Sequence, residues 1–269
     1  MKVENNFSDI LTEKALLHPE KVFCHKINGR SITFQELEHF VNRCCFLFEE
    51  IGVGAGDILT ISIPNSISFI VLYFAGIRSG IKVNPCPATL SENELINNIN
   101  FVGSKFLITQ KLIDVERLPD NCSYLMFNDD KDFLLKLDTY NNQKFDHKIR
   151  SDDIACIYYS SGTTGESKCV LYSNKNMLLL IKSIVNEFEL LPDSVHLGVL
   201  PLGHTAITNY QLLPSLYAGS TLFLAENFNS VRGDIWKIIA DFKITYFQVV
   251  PTILFAMMAT PYDDEDIKS

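Results

Sequence analysis

The sequence predicts an α/β fold with mainly parallel β-sheets flanked by helices. Three observations carry this: short aliphatic runs alternating with helix-length segments, a self-contained β-α-β unit at 58–83, and enough apolar residues for a large core. Of the 269 residues, 47% are hydrophobic and 20% charged, a globular rather than a disordered composition.

Residues 58–63 (ILTISI) place aliphatic side chains at alternate positions and close at Pro64-Asn65, as a short strand does. Residues 68–78 have the length and composition of a helix, Gly80 is a candidate C-cap, and 81–83 begin the next strand. The rhythm recurs, with a helix over 92–100 and strands over 105–109 and 122–127. Residues 128–153 are polar, mixed in charge and carry Asn141-Asn142, so they read as a connection or surface insertion between a first α/β lobe (1–127) and a second (154–269). In the second lobe, strands are expected at 154–159, 169–172, 196–200, 220–225 and 244–250, the last ended by Pro251. Helices are expected at 177–188, 209–217 and 235–242. The most apolar stretches, 67–83 (interrupted by Arg78 and Lys82) and 249–259, fall short of the ~20 apolar residues of a membrane span and read as buried helices. Trp236, Met257 and Met258 are expected in the core.

A formal net charge of −9 argues against a nucleic-acid groove or an anionic membrane surface, so any phosphate site must be local. Seven cysteines without a C-x-x-C pair spell neither a disulfide framework nor a zinc site, and no metal cage is legible. The start, MKVENNFSDI, lacks the basic-then-apolar order of a secretion signal, and a reducing cytoplasm is the simplest location.

The segment most informative for chemistry is 158–168, YYSSGTTGESK. It is not a phosphate-binding G-x-x-x-x-G-K-[ST] loop, because Ser167 stands where the second glycine is required and Cys169 follows the lysine. It matches neither G-x-G-x-x-G nor a G-x-S-x-G nucleophile elbow. What remains is a strand-loop-strand element in which Gly162 and Gly165 let backbone amides turn inward. Ser160, Ser161, Thr163 and Thr164 offer hydroxyls and Lys168 a full charge, an inventory suited to polyphosphate. A plain hairpin loop has the same composition. Of the paired tyrosines 158 and 159, which alternate faces of the strand, one is expected to border the site.

The order of these residues resembles the signature [ST]-S-G-[ST]-T-G-x-P-K of the adenylate-forming superfamily, which includes acyl-CoA synthetases. S-S-G-T-T-G-E-S-K at 160–168 matches it except that Ser167 replaces the proline. Other segments are similar in the same order: S-I-T-F-Q-E-L at 31–37, F-A-G-I-R-S-G at 74–80 with V-N-P at 83–85, L-P-L-G-H at 200–204, A-G-S-T-L at 218–222 and T-Y-F-Q-V-V-P at 245–251. The resemblance implies the N-terminal subdomains of an ATP-dependent carboxylic-acid ligase, which makes an acyl adenylate and pyrophosphate, then a thioester on coenzyme A or a carrier protein. It implies that Thr163, Thr164, Gly165 and Lys168 grip the β- and γ-phosphates of ATP with Mg2+ assisting, and that His204 lines the carboxylate end of the acyl pocket. A histidine merely hydrogen-bonded beside a strand end is the plainer reading of His204. Thr205, where aryl-acid activators carry asparagine, weakens a hydroxybenzoate substrate, and loss of the proline at 167 is expected to loosen the loop.

The family's Y-G-x-T-E segment, its ribose-binding aspartate motif and its late lysine have no counterpart here, and 264–269 resemble a family run cut partway. The resemblance therefore implies an N-terminal fragment with the C-terminal part absent. Since one preorganised donor carries on the order of 10²- to 10³-fold in rate, weak or no adenylation by this chain alone is expected. The alternative is a short non-catalytic protein that binds a nucleotide, an acyl ligand or a partner chain.

Overall fold

The computed structural model describes residues 6–146, 148–161 and 167–262. The chain opens with α1 (Phe7–Leu17), an antiparallel pair β1 (Val22–Lys26) and β2 (Ser31–Thr33), and α2 (Phe34–Glu50). Thr33 and Glu36 form a capping box that fixes the start of α2, whose apolar residues Leu37, Val41, Cys44, Cys45 and Phe48 recur at helical spacing and are buried. The expected β-α-β unit follows as β3 (Ile58–Ser62), α3 (Ile67–Arg78) and β4 (Lys82–Pro85). Every residue of α3 is buried, as its continuous apolar sequence requires. Its one charge, Arg78, donates to Glu38 at 2.6 Å, Asn42 at 2.8 Å and Ser8 at 2.7 Å, tying α1, α2 and α3 together.

Next come α4 (Glu92–Val102), β5 (Phe106–Thr109), β6 (Ser123–Met126) and α5 (Asp130–Leu137). Within 128–153, read from the sequence as a connection or surface insertion with no element of its own named, Asp130–Leu137 forms α5. Asp129 caps it, Phe133, Leu134 and Leu137 are buried at helical spacing, and the Asp130 carboxylate accepts from the N–H groups of Ile67 and Ser68 at the start of α3. Further on lie β7 (Ile154–Ser161), β8 (Ser167–Ser173), α6 (Asn174–Glu187), β9 (Val195–Gly198), α7 (Thr205–Ile207), a π-helical turn over Thr208–Leu212, α8 (Leu213–Ala218), β10 (Thr221–Leu224), α9 (Ile235–Asp241) and α10 (Pro251–Met258).

Two sheets result, with strand orders β6-β5-β3-β4-β7-β8 and β2-β1-β10-β9. Pairing is parallel except between β7 and β8 and between β1 and β2. Both sheets combine strands from before and after 128–153, so a division there does not coincide with a division between sheets: β7 hydrogen-bonds beside β4, and β10 beside β1. The helix α3 lies between the sheets, its Phe74 against Phe23 of β1 and its Tyr73 hydroxyl 3.1 Å from the Cys156 thiol of β7. On the outer face of the six-stranded sheet, Leu95 and Ile99 of α4 pack with Leu107, and on the outer face of the other, Ile235 and Ile238 of α9 pack with Leu197. Helices therefore cover both faces of each sheet, as parallel strands demand.

Two expectations need correction. Residues 244–250 form no regular strand: they make one parallel bridge, Tyr246 to His196 of β9, without a continuous ladder. The helix α10 exists but is not buried: Met257 is 5% exposed, whereas Phe255 is 69% and Met258 72% exposed. Trp236 is partly buried against the α9 cluster, its indole N–H donating to the Thr260 carbonyl at 3.2 Å. No helix among the described residues is long and apolar enough to cross a membrane.

Candidate functional site

The β7–β8 hairpin is the predicted strand-loop-strand element. Its register places Ser160 opposite Lys168 and Ser161 opposite Ser167. Gly162, Thr163, Thr164 and Gly165 lie outside the described residues; Ser160 and Ser161 are described as strand backbone, and Lys168 is an exposed side chain of β8. Because β7 runs parallel to β4, its end at Ser160 and Ser161 lies at the carboxyl end of the six-stranded sheet, the edge where open α/β sheets take ligands.

His204 reaches the same region from the other sheet, on the loop that leaves the carboxyl end of β9. Three contacts hold this loop. The buried Asn65, directly after β3, donates to the carbonyls of Leu200 at 2.8 Å and Ala225 at 3.0 Å and accepts from the Leu202 N–H at 2.7 Å. The Tyr158 hydroxyl of β7 lies 2.8 Å from that of Thr208, which also donates to the His204 carbonyl at 3.1 Å. Gly203 lies against the backbone of Cys86 and Pro87 so closely that a Cβ there would overlap the Cys86 carbonyl carbon and the Pro87 nitrogen. The loop can approach β4 only as glycine.

Between hairpin, loop and α4 opens a cavity of about 530 Å³, lined by Tyr158, Tyr159 and Val170 from the hairpin, Gly203, His204 and Thr205 from the loop, and Cys86, Leu90 and Asn98 from the β4–α4 side. That volume lies within the range of small-molecule pockets. His204 is exposed at its rim, and partial desolvation lowers its imidazole below the usual histidine value, keeping it neutral at pH 7. Both Tyr158 and Tyr159 border the cavity; Tyr158 is buried, its phenol pushed up by desolvation, and the Tyr159 ring packs on Phe101 at 5.5 Å. Cys86 is no nucleophile: burial raises its thiol to about 12, and its Sγ lies 3.4 Å from the Asn98 side-chain oxygen. No group of three His, Cys, Asp or Glu side chains suited to a metal occurs among the described residues.

Of the two residues, His204 lines the cavity, whereas Lys168 is an exposed residue of the hairpin whose Tyr158, Tyr159 and Val170 line it and is not itself among the lining residues. Sequence reasoning did not find Asn65 and Gly203, which orient the His204 loop. The glycine inside L-P-L-G-H was the available signal for the second; Asn65 carried none beyond its turn dipeptide.

Comparison with known proteins bears on the fold and the family. The sequence is 30% identical over 259 residues to 4-coumarate–CoA ligase-like 6 of Arabidopsis thaliana, covering 89% of this chain and 45% of that protein. It is 27% identical over 252 residues to 4-coumarate–CoA ligase 3 of the same plant, covering 87% of this chain and 44% of the relative. Among solved structures, a fatty acyl CoA synthetase of Mycobacterium tuberculosis superposes with a TM-score of 0.84 at 20% identity, over 96% of this chain and 51% of that one. ATP-bound MatB of Rhodopseudomonas palustris superposes with a TM-score of 0.84 at 22% identity, over 96% of this chain and 52% of that one. The chain spans about 45% of the length of the curated relatives it matches. The family model for AMP-binding enzymes matches residues 11–269, and with the fold and the signature hairpin in place the chain belongs to the AMP-binding enzyme family.

Proposed function

We propose that this chain forms the nucleotide-gripping part of an ATP-dependent carboxylic-acid ligase. In the proposed reaction a carboxylate oxygen of the acid attacks the α-phosphorus of ATP, a new P–O bond forms, and the bond to pyrophosphate breaks with its electron pair leaving on the pyrophosphate oxygen. A thiol of coenzyme A or a carrier protein then displaces AMP. Such transfers depend on alignment and charge neutralisation rather than on covalent help.

The observation that carries this reading is the family match over 11–269 together with one cavity bordered by the hairpin of Lys168 and the loop of His204. Lys168, with the hydroxyls and amides of 160–165, would hold the β- and γ-phosphates; an ammonium beside the carboxyl end of a parallel sheet fits an anion. Magnesium, when bound to the triphosphate, neutralises phosphoryl oxygens, but the described residues offer it no ligand set and no step is assigned to it. The neutral His204 imidazole at the rim would accept or donate a hydrogen bond to the acid's carboxyl end, and the Tyr158–Thr208 link would hold its loop in place. The names of the relatives, with 4-coumarate and fatty acyl groups among them, support a carboxylic acid as the substrate class.

A second reading, a protein that binds the nucleotide or acyl group without turnover, uses the same cavity and hairpin. Calorimetric titration with ATP and with a nonhydrolysable acyl-adenylate mimic tests what both share. Binding of both is expected, the mimic more tightly because it fills cavity and phosphate seat together. Absence of heat with either ligand would contradict both readings.

A further inference from the structure

The start of α3 is held by two acceptors. Its first N–H groups have no partner within the helix, and Ile67, Ser68 and Phe69 are fully buried, so water does not serve them. The Ser66 hydroxyl takes the Phe69 N–H at 3.1 Å. Those of Ile67 and Ser68 go to the Asp130 carboxylate of α5 at 3.2 and 2.9 Å, the second across 62 positions of sequence. The same carboxylate lies 3.4 Å from the Lys26 ammonium at the end of β1, and its side chain is 14% exposed. An anion so placed at the positive end of a helix is little screened by solvent.

What this first turn carries is Asn65, two residues before Ile67. Its side chain makes the three bonds that hold the His204 loop, with Leu200, Leu202 and Ala225. Lys26 reaches the same place from the other sheet, since the N–H of its neighbour Ile27 donates to the Leu224 carbonyl at 2.9 Å, directly before Ala225. We propose that Asp130 is a positioning residue for the candidate site: by fixing the first turn of α3 it sets Asn65, and through Asn65 the loop that carries His204. Asp130 does not line the cavity and acts through these contacts alone. Without its carboxylate the Ile67 and Ser68 N–H groups are buried with no acceptor, and the turn must shift to find one. That shift pulls Asn65 from its partners and frees the Leu202 N–H and His204 together. The importance of Asp130 to ligand binding rests on the proposed ligase site, but its hold on the loop is readable with no ligand present.

The test compares Asp130→Ala and Asp130→Asn with Asp138→Ala in the 269-residue chain, reading amide exchange and the titration of the His204 imidazole by NMR. Asp138 lies at the other end of α5 and pairs with Arg43 of α2, so its loss loosens α5 without touching α3. In Asp130→Ala the Leu202 amide exchanges about tenfold faster or more relative to amides of β5, as local rather than global opening requires. The His204 midpoint rises toward 6.5 as the loop leaves its partly desolvated place. Asp130→Asn keeps one acceptor oxygen and loses the charge; it shows the same selective change to a smaller extent, and it decides the question where the alanine variant does not fold. Asp138→Ala moves neither readout. Calorimetric affinity for the acyl-adenylate mimic falls in Asp130→Ala while that for ATP holds. Equal acceleration of Leu202 and β5 amides, an unmoved His204 midpoint, an Asp130→Asn variant identical to the parent, or the same selective loosening in Asp138→Ala would each overturn the proposal. A parent that binds neither ligand ends the ligase reading, while exchange and titration still decide the role of Asp130.

Discussion

At the scale of single residues, the candidate site divides into groups that meet the ligand and groups that hold the loops. Lys168→Ala removes the one charge assigned to the phosphates; hydrogen bonds to charged groups contribute about 1.5–3 kcal/mol. ATP affinity measured by calorimetry should therefore fall about 10- to 100-fold, and an affinity equal to the parent's would contradict the assignment. Gly203→Ala forces a methyl group into the Cys86–Pro87 backbone, and overpacking of this kind costs about 1–3 kcal/mol. The expected result is a lower melting temperature together with loss of the mimic's advantage over ATP, since the His204 loop must back away from the cavity. A variant as stable as the parent would show that the loop does not depend on that contact. The proposed roles of Lys168 and His204 rest on the short ordered motifs in which each sits. Asn65 was not legible, because its role exists only through carbonyls at Leu200 and Ala225, 135 and 160 positions away, and no local pattern encodes such a meeting.

Among elements, strands and helices with their own boundary chemistry were read well: β3, α3 and β4 have strong apolar runs and turn residues, and the hairpin arms of β7 and β8 frame a loop of small residues. The misreadings have physical causes. The α5 stretch is polar on its outer face, so its buried triad of Phe133, Leu134 and Leu137 was outweighed by the charge around it, although Asp129 supplied an N-cap signal. Residues 244–250 have strand composition, but a strand is a relation between neighbours and composition cannot supply the neighbour. The helical stretch over 209–217 is interrupted by a π-turn at Thr208–Leu212 that no period-3.6 pattern announces. The junction of α1, α2 and α3 rests on Arg78, buried at 2% exposure and paired with Glu38. Removing one partner of a buried pair strands the other charge at a cost of about 3–5 kcal/mol. Glu38→Ala should lower the denaturant midpoint accordingly; a shift under about 0.5 kcal/mol would mean that Ser8 and Asn42 suffice for the guanidinium.

For the molecule as a whole, the two sheets interleave early and late parts of the chain, so its stability is shared and a buried group in either sheet is felt globally. His196 of β9 is such a group: fully buried, its Nε2 is 2.8 Å from the Ser220 hydroxyl, its Nδ1 lacks a partner among the described residues, and burial lowers its pKa from 6.5 to about 4. The folded state holds this imidazole neutral while the unfolded state protonates it below about 6.5. Stability from this group is therefore full above that pH, declines as pH falls from 6.5 toward 4, and levels off below. Over that window the loss is on the order of 3 kcal/mol, readable by urea unfolding at stepped pH, and His196→Gln should flatten the slope. A parent protein with no slope between pH 6.5 and 4 would contradict the burial argument. The α/β class, the covered parallel sheets and the family were legible from motif order and rhythm. How strands from the two ends of the chain share sheets was not, because pairing between distant segments leaves no trace in either one.

The central claim is that 160–168 is the seat of a nucleotide's phosphate tail, and amide hydrogen exchange of this chain with ATP, and separately with adenosine, tests it most directly. ATP should slow exchange across 160–168 while adenosine leaves that hairpin unchanged. Equal effects of the two ligands on the hairpin, or protection by ATP that appears only elsewhere, would contradict it.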